Sequence, residues 1–450
     1  MRRRTMLKTV GAISLSGIVP QRSMASSSEY SAGSLKEIET EILIIGGGTA
    51  GTIAAIQAGR TGSSTILVEN GSQLGGTTTT GGVSFPGLFH AWGKQIIEGI
   101  GWELVSETVR FGDDTFPDFS VPTGRWHWKH QVRLNPYLYA LLAEEKCLEA
   151  GVQIRYYETP IRAVFQNDRW EVDVMGKGTR TRISANQLID CTGNAFVTAL
   201  AGFKVLREEE NQPGTLQFKI GGYDMADLDM KLIQAKYDEA VANGRVSNVE
   251  FRSINGLLHD QGDNIQHILG ADSTTSETHS VTNIKGRTSL LKMLRFLRTL
   301  PGCEKVRLLS MQTEAGVRET YRIDGEYQIT HDDYVSGKVH EDSLSYSFYP
   351  IDLHDKHGVV PKHLNEHTVA TVPLRALIPR NSKNLLVAGR CVSSDRLANS
   401  ALRVQASCMG MGQAAAITAM IASRKGISPL GVSPEEIKEL LRKYEAIVPG

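Results

Sequence analysis

The run Glu41-Ile-Leu-Ile-Ile-Gly-Gly-Gly-Thr-Ala-Gly-Thr, followed by Ile66-Leu-Val-Glu69, constrains the fold more than any other part of this chain. A short apolar strand leads into a glycine turn, an Ala-rich helix and a second strand that ends in an acid. Gly46, Gly48 and Gly51 fill the spacing G-x-G-x-x-G. In that spacing the first glycine makes the tight turn, the second lets the backbone approach a pyrophosphate, and the third lets the helix pack close to the sheet. Ala50 lies in the same turn. The helix start offers free N–H groups and its positive dipole end to phosphates. Glu69 stands 21 residues beyond Gly48, where a carboxylate accepts hydrogen bonds from a ribose. Strand, turn, helix and acid agree on a dinucleotide site.

The N-terminus reads as an export signal and not as part of the fold. Arg3-Arg4-Thr5-Met6-Leu7-Lys8 resembles a twin-arginine signal, and Ser23-Met24-Ala25 supplies small residues where a signal peptidase cuts. The apolar run Val10 to Val19 is too short to span a membrane. We therefore expect a signal over 1–25, a polar linker over 26–38 and an exported, periplasmic protein without a membrane span in its mature part. The chain has 49 basic and 49 acidic residues, which leaves no basic surplus for nucleic acid. The five cysteines are odd in number and contain no C-x-x-C pair. This excludes a disulfide framework and, on spacing, a zinc or iron–sulfur ligand set.

Further along, Leu74-Gly-Gly-Thr-Thr-Thr-Thr-Gly-Gly-Val can place N–H and O–H groups around phosphate or ribitol oxygens. Asn135 to Ala150 has helical periodicity, with Leu138, Leu141, Leu142 and Cys147 on one face, and a strand follows from Val152. Ile161 to Val174 and Arg180 to Ile189 read as strands of a small sheet that delivers Asp190-Cys-Thr-Gly-Asn194. Residues from about 212 to 313 are mixed in pattern and read as a separate lobe. Within it, Ser289 to Thr299 is a helix closed by Pro301-Gly302. Asn384-Leu-Leu-Val-Ala-Gly-Arg390 is another apolar strand ending at glycine, Met409 to Ala422 is a small-residue helix, and Ser433-Pro-Glu-Glu436 is a capping box.

Three separated segments, Gly46–Gly51, Asp190-Cys-Thr-Gly193 and Val387-Ala-Gly-Arg-Cys with Gly412-Gln-Ala-Ala-Ala, carry a resemblance. The chain resembles the FAD-dependent oxidoreductases of the glutathione reductase-like flavoprotein superfamily, a group that includes the flavin part of heterodisulfide reductase. Gly316-Val-Arg-Glu319, Tyr349-Pro-Ile-Asp-Leu-His354 and Val372-Pro-Leu-Arg375 add to it. The resemblance implies an α/β fold: a Rossmann-like, GR2-type FAD-binding domain in discontinuous pieces, with an inserted mixed α+β substrate or cap domain. The expected spans are 39–205 and 371–425 for FAD, 206–370 for the cap and 426–450 for a C-terminal helix. It further implies that Gly46, Gly48, Ala50 and Gly51 take the pyrophosphate of FAD and that Glu69 takes the adenosine ribose. Gly75, Gly76 and Thr77 would lie along the diphosphate, Thr192-Gly193 near the adenine side and Gly389 by the ribityl chain. The start of a helix near Gly410 and Gln413 would point at the flavin, where it would stabilise the reduced ring's negative charge. Relatives with iron–sulfur clusters carry clustered cysteines, and this chain has none.

Flavin chemistry also needs a group that moves the accompanying proton. Arg318, His354, Arg375, Arg396 and Arg403 are the candidates, with Arg403 and His354 foremost. His354 suits proton removal near neutral pH. Arg396 or Arg403 could bind a carboxylate or stabilise an oxyanion. Asp395-Arg-Leu-Ala-Asn-Ser resembles a run in fumarate reductase-like flavoproteins. His90 or Cys391 could tether a flavin, but non-covalent FAD is expected. The leading expectation is oxidation of a small organic substrate by hydride transfer to FAD, with electrons passed to an unidentified acceptor. A C=C reductase fed by an external donor is the alternative, and a flavin module of an electron-transfer assembly is the third. A single G-x-G-x-x-G argues against direct reduction by NAD(P)H.

Overall fold

The computed structural model describes residues 35–121, 126–355, 358 and 361–450; the expected export signal lies outside them. Strand β1 (Lys36–Ile45), helix α1 (Thr49–Arg60) and strand β2 (Thr65–Glu69) form the first unit. Ile42 to Ile45 is apolar and buried at every position, the pattern of a parallel strand covered on both faces. β1 already pairs at Lys36 with Thr181, so the last three residues of the expected linker belong to the sheet.

Helices α2 (Ile100–Phe111) and α3 (Pro136–Glu149) precede strand β3 (Gln153–Tyr156), which pairs in parallel with β2. The Asn135 side chain caps α3 by accepting from the N–H groups of Tyr137 and Leu138, and Pro136 presets its first turn. Its inner face is Tyr139, Leu142, Ala143, Lys146 and Cys147. This corrects the expected leucine face. The Tyr139 ring is fully buried, and Leu141 turns outward and is 68% exposed.

Strands β4 (Thr159–Gln166), β5 (Arg169–Gly176) and β6 (Thr179–Asp190) form an antiparallel meander. β6 then runs parallel to β1, giving the order β3-β2-β1-β6-β5-β4. The outer edge of β6 is shared. Its first part pairs with β5, and Leu188 to Asp190 pair in parallel with β7 (Leu385–Val387). The fully buried Trp170 of β5 braces this junction, its indole N–H donating to the carbonyls of Lys383 (3.0 Å) and Asn384 (2.9 Å).

After β7 come α4 (Arg396–Leu402), α5 (Gln405–Lys425) and α6 (Pro434–Lys443). α5 crosses α1 where Gly412 meets the Ala50 carbonyl, an approach that leaves no room for a Cβ. At the start of α6 the expected capping box does not form, because the Ser433 hydroxyl donates to Glu435 (3.0 Å).

A second apolar core gathers residues between Leu216 and Ala315. Its long helix spans Ser276–Leu297, three turns more than the sequence pattern suggested. Thr275 and Thr278 form its capping box, and the Ser/Thr/Asn-rich first turns conceal it from a propensity argument. Ile329, Tyr334, Leu344, Tyr349 and Ile351, from the span expected to be cap, pack instead into the first core, with α1 and α5.

Candidate active site

The carboxyl ends of β1, β6 and β7 lie side by side, since Ile45 and Val387 both neighbour Asp190. In an open α/β sheet this end is where ligands bind. Gly46 leaves β1 at φ +101°, and a Cβ there would stand 2.5 Å from the Cys191 carbonyl oxygen, so the turn requires glycine. Gly51 packs on the Gly46 carbonyl with no room for a side chain. Gly48, by contrast, faces open space: a Cβ there would meet nothing within 4 Å. Gly48 is also the N-cap of α1, which has no side-chain cap and no acid in its first turn. An uncapped, acid-free helix start behind a bare glycine fits the pyrophosphate of FAD.

Glu69 braces this turn. Its carboxylate accepts from the N–H groups of Gly47 (2.7 Å) and Gly71 (2.6 Å). Burial raises its pKa, partly offset by those two bonds. Gly75 donates its N–H to the Gly47 carbonyl (2.8 Å), and Gly76 lies against the Cα of Gly48. Thr77 is exposed at this turn, whereas Thr78 donates to Gln405 (2.5 Å) and Thr79 to the Leu74 carbonyl (2.6 Å).

The Thr192-Gly193 turn is fixed from below by Asp190, which is fully buried. One of its carboxylate oxygens takes the N–H and hydroxyl of Thr192, and the other takes those of Thr198. The Gly193 carbonyl accepts from Arg390 Nε (2.6 Å). Gly389, at φ +106°, lies above Ala50. The expected helix start near Gly410 and Gln413 lies elsewhere. α5 starts at Gln405, so Gly410 and Gln413 lie inside it and not at its start. Gln413 is 1% exposed and its amide donates to Gln57 Oε1 (3.0 Å) and the Tyr444 carbonyl (3.1 Å), which locks α5 to α1 and the C-terminus. The free N–H groups belong to the first turn after Val404, again with no side-chain cap and no acid. Of the two tether candidates, His90 is stacked on Phe119 with ring centroids 3.7 Å apart, and Cys391 is fully buried.

The candidate proton-transfer residues divide into two groups. Arg318, His354 and Arg403 come together with Asp352, Gln212 and His267. His354 Nε2 lies 3.1 Å from Asp352 Oδ2, and Arg403 Nη2 lies 3.6 Å from the same oxygen. Gln212 Oε1 accepts from the His354 N–H (3.0 Å) and from Arg403 Nη2 (3.4 Å). Arg318 donates Nη1 to the Pro213 carbonyl. The His267 and His354 rings meet edge to face, 5.5 Å between centroids. Arg396 and Arg375 stand outside this group because each has its own carboxylate. Glu319, 2% exposed, takes Arg396 at 2.6 Å, and Asp342 takes Arg375 at 3.0 Å. Glu319 also accepts from Gln212, so Arg396 supports the cluster from behind.

Burial, together with the Arg318 charge, holds the His354 imidazole down at about 4, which its bond to Asp352 only partly reverses. His267 lies at about 3 for the same two reasons. Burial would raise Asp352, but His354, Arg403 and Arg318 outweigh it and bring the carboxyl to about 2. Burial and the neighbouring Arg403 pull Arg318 down to about 9. At neutral pH the cluster therefore holds two neutral imidazoles and a carboxylate beside the side chains of Arg318 and Arg403. Sequence reasoning missed Asp352, although it stands two residues before His354 in the segment already singled out. It also missed Gln212 and His267, for which the sequence holds no signal.

Several solved structures share a likeness with the chain. A geranylgeranyl bacteriochlorophyll reductase-like protein from Thermoplasma acidophilum is 12% identical at a TM-score of 0.41, with 90% of this chain and 84% of that one covered. OxyS anhydrotetracycline hydroxylase from Streptomyces rimosus is 12% identical at 0.42, with 91% and 65% covered. The p-nitrophenol 4-monooxygenase PnpA from Pseudomonas putida DLL-E4 is 12% identical at 0.38, with 90% and 84% covered. Comparison with curated proteins finds no match. The family model described as FAD dependent oxidoreductase matches residues 41–441, from the first parallel strand to the last helix, and the chain belongs to that family.

Proposed function

We propose that this FAD-dependent oxidoreductase oxidises a small hydroxyl-bearing organic substrate, with His354 as the proton acceptor. The observation that carries this is the Asp352–His354 pair. Asp352 engages Nε2, which fixes the tautomer and leaves the Nδ1 lone pair free, and Nδ1 is buried without a partner among the described residues. A neutral imidazole held this way accepts a hydroxyl proton as the adjacent C–H bond breaks. Non-covalent FAD, held by the glycine turn and by the starts of α1 and α5, supplies the capacity to take up a hydride. Gln212 and Asp352 orient the base, and the two guanidiniums hold the substrate. Electrons leave to a separate acceptor, and the N-terminal segment directs export by the twin-arginine route.

His354→Gln tests the reading. It is expected to retain FAD and to lose about 100- to 10,000-fold in substrate-dependent dye reduction. Full activity in a flavin-loaded His354→Gln protein would remove the base assignment. Acid precipitation is expected to release the flavin into the supernatant. Arg318 favours one second reading, reduction of an activated C=C bond, because a guanidinium lowered to about 9 is a competent proton donor. Reoxidation of the chemically reduced enzyme by an unsaturated acid, abolished in Arg318→Met, would select that direction.

A further inference from the structure

Among the described residues, two sets of arginines differ in their partners. Arg155, Arg322, Arg375 and Arg396 each lie against a carboxylate, Glu158, Glu208, Asp342 and Glu319 respectively, at 2.5 to 3.0 Å. Such arginines are neutralised and serve the fold. Arg318 and Arg403 are different. Each lowers or balances a neighbour, yet between them they have one acid, Asp352, and that acid is already engaged by His354. Arg318 has no carboxylate in ion-pair range among the described residues; its partner is the Pro213 carbonyl. The Arg403 side chain is 13% exposed, and its Nε is buried without a hydrogen-bond partner. His354 Nδ1 and His267 Nδ1 are likewise buried and unpartnered. A third guanidinium, Arg390, lies behind them, bonded to Gly193 O, Val317 O and Asn194 Oδ1, none of which carries charge.

Enclosing guanidiniums in excess of carboxylates is costly unless an anion completes the set. The pyrophosphate of FAD is not that anion, since its cradle is the separate turn at Gly46–Gly51. We infer that Arg318 and Arg403 form a clamp for the carboxylate of the substrate, so that the enzyme acts on a small hydroxy acid. This rests on the reading of His354 as base. His354 and Arg403 both lie on one oxygen of Asp352, so the base and the clamp serve the same ligand. Planar guanidinium donors suit a carboxylate better than a neutral amide or alcohol.

The test is a titration of the FAD-loaded enzyme, followed by the flavin's visible bands, with pyruvate as the carboxylate probe and pyruvamide as its neutral counterpart. Pyruvate is expected to perturb the bands at concentrations at least tenfold below pyruvamide. Arg318→Met and Arg403→Met are each expected to weaken pyruvate about 10- to 100-fold and to weaken pyruvamide much less. Equal binding of the two probes, or pyruvate binding that survives both substitutions, would overturn the clamp. If either variant loses FAD or fails to fold, the pyruvate-to-pyruvamide ratio of the unaltered enzyme decides alone. The two readings separate cleanly. His354-dependent oxidation of neutral alcohols, with hydroxy acids inert, sinks the clamp and leaves the base. Arginine-dependent pyruvate binding with a fully active His354→Gln sinks the base and leaves the clamp.

Discussion

Glu69 is one carboxylate with two backbone N–H groups to satisfy, one on either side of the cofactor turn. Glu69→Gln keeps the shape but offers a single acceptor oxygen, and one of those N–H groups loses its partner. We expect its FAD dissociation constant to rise about tenfold, measured by flavin fluorescence on titration. Asp352 is a second residue of this sort. Asp352→Asn removes the charge that holds both His354 and Arg403, so turnover and pyruvate binding should fall together, and unchanged values of both would refute its positioning role. The position of Glu69 could be found from the sequence because it depends on spacing along one βαβ unit, whereas its bonds to the Gly47 and Gly71 N–H groups could not. Asp352 could not, because its partner Arg403 is supplied by a different stretch of chain.

At the scale of elements, α1 and α5 are held together by small residues. The Ala50 carbonyl sits where a side chain at position 412 would be, and Gly389 lies over the Ala50 methyl. Gly412→Ala is therefore expected to cost about 1–3 kcal/mol of stability and to loosen FAD, read as a lower melting temperature and faster flavin loss. An unchanged melting temperature would mean that the helices separate freely. The first sheet unit and the small-residue helix were legible in sequence because each follows a local pattern: an apolar strand, a glycine turn, a run of Ala and Gly. The start of α5 was not, because Gln405 to Cys408 has neither a capping side chain nor a proline to announce it. The long helix Ser276–Leu297 was half-legible for the opposite reason: its first three turns carry residues that favour caps and turns over helix interiors. The candidate-site cluster draws on Gln212, His267, Arg318, Asp352, His354 and Arg403, and no periodicity relates those positions.

At the scale of the whole molecule, the response to acid follows from burial. His90, His127 and His354 lie at about 4 and His267 at about 3, each lowered first by burial. An unfolded histidine binds its proton near 6.5. As pH falls from about 6.5 towards 4, the unfolded chain takes up protons that the native chain refuses, so stability is present above that window and is lost within it. The melting temperature should fall most steeply between pH 6.5 and 4. A flat profile over that range would show that these imidazoles are hydrated. Activity should follow a different curve, because a base at about 4 stays neutral well below the ordinary histidine range, and turnover of surviving folded enzyme should hold down to about pH 5.

The shared edge of β6 has a consequence for how the protein comes into being. Its last three residues wait for β7, and the Trp170 indole waits for the carbonyls of Lys383 and Asn384. A ribosome delivers those partners only after the entire second core has been synthesised. During most of translation, then, the nascent sheet carries an unfinished edge, and the start of α5 does not yet exist. Cofactor capture must be a late event, and a fragment ending before Leu385 should emerge colourless and depend on chaperones for its solubility.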